Sequence, residues 1–187
     1  MTNETIKAQP LRKTNTYSLV VTALMAAVTC ILAPLSIPIG PVPISLTNLA
    51  IYLSLYLLDW KKGTLSYLIY LLLGFVGLPV FSGFTGGVSK LAGPTGGYIV
   101  GFIPMAIIAG IIIDKFNNRG IQILGMIVGT AICYALGTAW FCFQAGYTVI
   151  AALSVCVIPF IPADLCKMLV AMIIGPAIRQ RLDLVTR

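Results

Sequence analysis

The chain has 187 residues, 59% of them hydrophobic and 9% charged, with a formal net charge of +7. So much apolar surface with so little charge excludes a soluble globular domain of this size, and no additional soluble domain fits beside a membrane one. The basic residues sit at the ends of apolar runs instead of forming a patch, which argues against nucleic acid and makes the lipid bilayer the first partner.

Runs of about 17 to 25 apolar residues, the length that crosses about 30 Å of hydrocarbon, point to helices and not to the alternating strands of a barrel. The expected fold is therefore an all-α integral membrane protein forming one membrane domain over residues 1–187. Residues 1–16 are polar and basic and read as a cytoplasmic N-terminal segment. The run from Tyr17 to Leu35 has no small-residue cleavage site and reads as an uncleaved first span. Within it Ala23 and Ala27 stand four apart, a spacing that lets helices approach closely, either for internal packing or for a partner membrane subunit.

The connection Ile37-Pro-Ile-Gly-Pro-Val-Pro-Ile44 is apolar and uncharged, and its recurrent prolines exclude a helix. A short second span from Ser45 to Leu58 follows, about 21 Å at 1.5 Å per residue, so its polar first turn with Ser45, Thr47 and Asn48 lies at membrane depth. Irregular or polar backbone survives there only where protein buries it or where it lines a cavity. The third span runs from Gly63 to Leu78. Residues 79–97 then form a glycine-rich loop, with six glycines between Gly83 and Tyr98 and one charge, Lys90. Glycine loses more backbone freedom on ordering than alanine, so this segment is expected to be kept for close backbone approach and not for helicity.

The fourth and fifth spans run from Tyr98 to Ile113 and from Ile121 to Phe143, the latter with Gly125 and Gly129 at packing spacing. A last run, Thr148 to Ile178, is broken at Pro159-Phe-Ile-Pro162. Six alternating spans with both termini inside put Lys7, Arg12, Lys13, Lys61, Lys62, Lys115, Arg119, Arg179, Arg181 and Arg187 in the cytoplasm, ten of the twelve basic residues. That distribution follows the positive-inside rule and puts the glycine-rich loop outside, with Lys90 as its charge.

The remaining base, Lys167, stands three residues after Asp164 in the last run, on the same helix face. A charge at a helix centre costs about 2.5 to 3.5 kcal/mol on insertion scales, and such residues face an interior or a water-filled cavity. Two readings are open: Asp164 as a helix cap neutralised by Lys167, or the pair as a site for a small molecule with both donor and acceptor groups. The chain has no histidine, which excludes an HExxH metal site and a serine–histidine dyad, and it has no phosphate-binding GxxxxGK[ST] loop, so it cannot hydrolyse ATP by itself. Its five cysteines lie singly in apolar segments and suggest no disulfide framework, metal site or cofactor.

Taken as an ordered set, Val42-Pro-Ile44, Gly77-Leu-Pro-Val-Phe81 running into Gly86-Gly87 and Gly93-Pro-Thr-Gly-Gly-Tyr98, and Ile161-Pro-Ala-Asp-Leu-Cys-Lys167 resemble the BioY family over essentially the whole chain. BioY proteins are the biotin-binding substrate subunits (S components) of energy-coupling factor (ECF) transporters. The resemblance implies an S-component fold in the cell membrane and capture of biotin at the outer surface. It further implies docking, through Ala23 and Ala27, onto a transmembrane coupling subunit with two cytoplasmic ATPases, for ATP-driven uptake. Asp164 would accept the ureido N–H groups of biotin, with Lys167 balancing it and donating to the ligand. Phe81, Phe84 and Tyr98 would pack on the ring system, and the loop with Gly86 and Gly87 would close over it. Asn48 and Lys90 are further candidates, for a polar edge and for the tail carboxylate; where relatives tend to have glutamine after Val-Pro-Ile-Thr-Leu, this chain has Thr47 followed by Asn48. The rival readings are an S component for another vitamin, a membrane enzyme using Asp164 and Lys167, and a self-sufficient secondary transporter.

Overall fold

The computed structural model describes residues 13–38 and 42–185. Most of the N-terminal segment, with Lys7 and Arg12, lies outside the described residues, as do Arg187 and residues 39–41 of the proline-rich connection. The described chain is mostly helical: α1 (Lys13–Leu32), α2 (Thr47–Leu57), α3 (Trp60–Val76), α4 (Val88–Ala92), α5 (Gly96–Lys115), α6 (Arg119–Ala145), α7 (Val149–Cys156) and α8 (Phe160–Val185). Three stretches are long and apolar enough to cross a membrane, Gly96–Lys115, Arg119–Ala145 and Phe160–Arg181; α1 and α2 contribute shorter apolar helices.

Two details fill in the expected all-helical pattern. The proline-rich connection returns on itself as a short antiparallel ladder of β1 (Ser36–Ile37) and β2 (Ile44–Ser45), pairing Ser36 with Ser45 and Ile37 with Ile44. Extended backbone is what proline imposes on the residue before it, so a strand pair is the natural way to satisfy backbone groups there. The last apolar run is two helices, and α8 begins at Phe160 with Pro162 in its first turn, where a missing N–H is harmless. Asp164 therefore lies one turn inside α8 and is not its cap.

Helix ends follow local chemistry. Asp59 accepts the backbone N–H of Lys62 at 2.8 Å, which starts α3 three residues before the apolar run does. Gly77 ends that helix in the left-handed region (φ 112°), and Gly146 ends α6 likewise (φ 69°). The Gly125–Gly129 spacing is used inside the molecule: a Cβ on Gly129 would lie 3.0 Å from the Met105 carbonyl of α5, and one on Gly125 would lie 2.6 Å from Ile112. On α1, Val21, Met25 and Ala26 turn inward, whereas Ala23 and Ala27 face outward beside exposed Leu19, Leu24 and Ile31.

One end of the bundle gathers the charges. The Trp60 backbone N–H meets the Asp114 carboxylate at 2.7 Å, and Arg179 reaches the Tyr56 carbonyl at 3.4 Å, bringing the α2–α3 junction, the end of α5 and the last part of α8 together. The opposite end carries the β ladder and the glycine-rich loop.

Candidate functional site

At the loop end, α3, α5 and α6 enclose a cavity of about 70 Å³ together with β2, the glycine-rich loop and the α7–α8 corner. Tyr67 and Tyr70 are three apart on α3 and share its inner face, as Tyr98 and Phe102 do one turn apart on α5. Tyr67 packs edge-on to Phe102 (6.0 Å between centroids) and Tyr70 edge-on to Phe81 (5.6 Å), the arrangement aromatic quadrupoles favour. The Tyr67 hydroxyl donates to the Ile99 carbonyl at 2.7 Å, and the Tyr98 hydroxyl pairs with Thr138 at 3.1 Å. The hydroxyls of Tyr67 and Tyr98 are thus tied within the protein, while Phe81 and Phe102 are held by ring packing alone.

Two glycines, Gly74 of α3 and Gly137 of α6, seat two of these rings. A Cβ on Gly74 would lie 2.2 Å from the Phe81 ring, and one on Gly137 would lie 2.2 Å from the Tyr98 ring. No larger residue leaves both aromatics where they stand.

The loop folds as a bridge between Phe81 and Thr85, then α4, then a turn into α5. That bridge decides which phenylalanine points in. Phe81 is fully buried in the cavity wall, while Phe84, on the turn with φ 56°, is 66% exposed. Phe84 lines a separate outer groove with Pro34, Ile37 and Leu46. Gly86 and Gly87 fit the loop to α3 and do not line the cavity: a Cβ on Gly86 would meet the Leu78 carbonyl at 2.2 Å, and the Gly87 N–H donates to the Gly74 carbonyl at 2.7 Å. The loop is tied to α6, since Trp140 Nε1 donates to the Gly93 carbonyl at 2.9 Å and the Gln144 amide donates to that of Ala92. Lys90 is half-buried in α4, where desolvation draws its ammonium below the usual lysine range, and it stands outside the cavity lining. Asn48 is buried in the first turn of α2, its Oδ1 on the Leu49 N–H at 3.1 Å, and does not line the cavity either.

Behind the cavity lies the charged pair. Lys167 Nζ is 3.0 Å from Asp164 Oδ1 and 2.7 Å from the Ser45 carbonyl of β2, and the Tyr134 hydroxyl of α6 donates to Asp164 Oδ2 at 2.5 Å. Both side chains are nine-tenths buried. Two of the three ammonium protons and two of about four carboxylate lone-pair sites are thus engaged inside the protein. Tyr134 and Ser45 line the cavity; Asp164 and Lys167 stand one layer further back.

A family model described as the BioY family matches residues 3–184, nearly all of a chain with this fold and this cavity. The chain belongs to the BioY family. Among BioY relatives, the biotin transporter BioY of Thermotoga maritima is 40% identical over 146 residues, covering 78% of this chain and 86% of that one. Biotin transporter BioY2 of Lactococcus lactis subsp. cremoris is 35% identical over 174 residues, covering 92% and 96%. A solved S-component for biotin from an ECF-type ABC transporter superposes with a TM-score of 0.83 at 31% identity, over 92% of this chain and 95% of that one.

Of the residues that the BioY resemblance singles out, the structure brings Phe81 and Tyr98 to the cavity wall and Asp164 with Lys167 directly behind it. Phe84, Gly86, Gly87, Asn48 and Lys90 lie away from the lining, and Ala23 and Ala27 occupy the outer face of α1. Sequence reasoning missed Tyr134, Tyr67 and Tyr70. The 67–70 spacing was a usable signal; a single tyrosine in the middle of α6 offered none.

Proposed function

We propose that this chain is the biotin-binding S component of an ECF transporter, a single membrane domain of six spans with both termini inside. It would capture biotin from the outside for uptake driven by two cytoplasmic ATPases through a transmembrane coupling subunit. The observation that carries the reading is the pairing of an aromatic-walled cavity with a buried Asp164–Lys167 pair at the loop end. Biotin has matching parts: a ureido group with two N–H donors and a carbonyl, an apolar thioether ring, and an aliphatic tail with a carboxylate. Phe81 and Tyr98 offer the apolar walls, and the charged pair offers the polar anchor. At about 70 Å³ the cavity is smaller than the roughly 300–1,000 Å³ of ordinary ligand pockets, so admission of biotin requires wall or loop side chains to move.

The outward Ala23 and Ala27 support α1 as the docking face for the coupling subunit, since small residues let a partner helix approach. Orientation is supported by Lys61, Lys62, Lys115, Arg119 and Arg179 standing near the junctions that Trp60–Asp114 and Arg179–Tyr56 join, opposite the cavity. The test is equilibrium binding of biotin and a panel of other vitamins to the detergent-solubilised protein. Selective binding of biotin that is lost in Asp164→Ala is expected. No biotin binding, or unchanged affinity in that variant, overturns the reading, and selective binding of another vitamin replaces the ligand.

A further inference from the structure

The charged pair does not itself line the cavity, and the two groups that touch it from the cavity side do: Ser45, whose carbonyl accepts from Lys167 Nζ, and Tyr134, whose hydroxyl donates to Asp164 Oδ2. On its other side Asp164 lines a second, almost wholly apolar groove between α6 and α8, with Ile127, Ile161 and Leu165. Tyr134 lines both spaces and so forms the partition between them. A molecule in the cavity therefore meets the Tyr134 hydroxyl before it meets the carboxylate.

We propose that Tyr134 is a ligand-binding residue, its hydroxyl oxygen accepting a ureido N–H of the substrate while its own proton is donated to Asp164. A phenol hydroxyl has one proton and two acceptor sites. With the proton committed to Asp164, only acceptor capacity is left for the cavity, so the site selects a ligand that donates there. The carboxylate polarises the O–H bond and makes the oxygen a better acceptor, so the negative charge is felt in the cavity without leaving its partner Lys167. This inference rests on reading the cavity as the biotin site.

The test compares unmodified protein, Tyr134→Phe and Tyr52→Phe for equilibrium binding of biotin and for thermal midpoint without ligand. Tyr52, fully buried on α2, also makes a hydroxyl bond to α6, with Thr130 at 2.5 Å, and does not line the cavity. Loss of a hydrogen bond that acts through a charged group predicts about tenfold or weaker biotin binding in Tyr134→Phe. Tyr52→Phe is expected to lower the thermal midpoint and leave affinity unchanged. Unchanged or tighter binding in Tyr134→Phe means that the ligand reaches Asp164 directly, and overturns the relay alone. Equal loss of affinity in both variants assigns the effect to α6 packing and also overturns it. If the unmodified protein binds no biotin, the reading beneath it falls as well.

Discussion

Two ion pairs in this chain share one local geometry and differ in almost everything else. Asp59–Lys62 and Asp164–Lys167 are both three residues apart with the carboxylate first, and both close at 3.0 Å. The first is over two-fifths exposed on each side and starts helix α3; the second is nine-tenths buried inside α8. An exposed pair is worth about 0–1 kcal/mol and has water as an alternative partner. A buried pair has none, and replacing it with apolar residues of similar volume is often neutral or stabilising. The difference teaches that the first pair is explained by the fold, while the second calls for a role beyond stability.

The largest expected effect breaks the buried pair. Asp164→Ala leaves Lys167 without its counter-charge and should lower stability by about 3–5 kcal/mol while abolishing biotin binding. The double variant Asp164→Leu with Lys167→Met sharpens the contrast: thermal midpoints should recover much of the loss, yet binding should not return. Recovery of binding along with stability would make the buried pair as structural as the exposed one.

Next come the glycines that seat the walls. Gly74→Ala or Gly137→Ala drives Phe81 or Tyr98 toward the cavity, with a cost of about 1–3 kcal/mol from overpacking and weaker biotin binding. Unchanged affinity in both would show that the aromatic walls do not shape the site.

Smaller effects belong to the exposed pair. Asp59→Ala removes a cap worth about 1 kcal/mol and should leave biotin affinity untouched. Partial burial raises the Asp59 carboxyl, but the Lys62 backbone N–H and ammonium lower it further, so its folded-state pKa falls below the ordinary value. The sign follows: its contribution is full above the unfolded value of about 3.9 and is lost as pH falls through the lower folded one. Thermal midpoints against pH should therefore differ between native protein and Asp59→Asn at neutral pH and converge in acid. Lys62→Ala is the smallest change, a few tenths of a kcal/mol that shrink with added salt.

Much of the helical frame was legible because apolar runs of membrane length carry their own boundaries, and the charged pair was legible because ionisable residues are rare in such runs. What stayed hidden was set by tertiary contact. Phe81 and Phe84 are chemically identical, and only the Phe81–Thr85 bridge decides that one faces the cavity and the other the outer groove. Gly86 and Gly87 looked like approach points for a ligand, yet the carbonyls they approach are those of Leu78 and Gly74. Tyr134 is one aromatic among many on an apolar helix until α8 brings Asp164 beside it. The proline-rich connection announced irregular backbone but not its pairing, because a two-residue ladder has no periodicity to read.

The bond from Trp140 to the Gly93 carbonyl has a spectroscopic consequence. The chain has two tryptophans: Trp140 holds the glycine-rich loop near the start of α5, and Trp60 sits at the other end of that helix, beside Asp114. The two side chains pack on α5 at Gly97 and Gly110, thirteen residues apart, or about 20 Å along the helix. In a Trp60→Phe background, intrinsic emission becomes a reporter of the loop alone, and its change on adding biotin would time the motion of that loop without any attached dye.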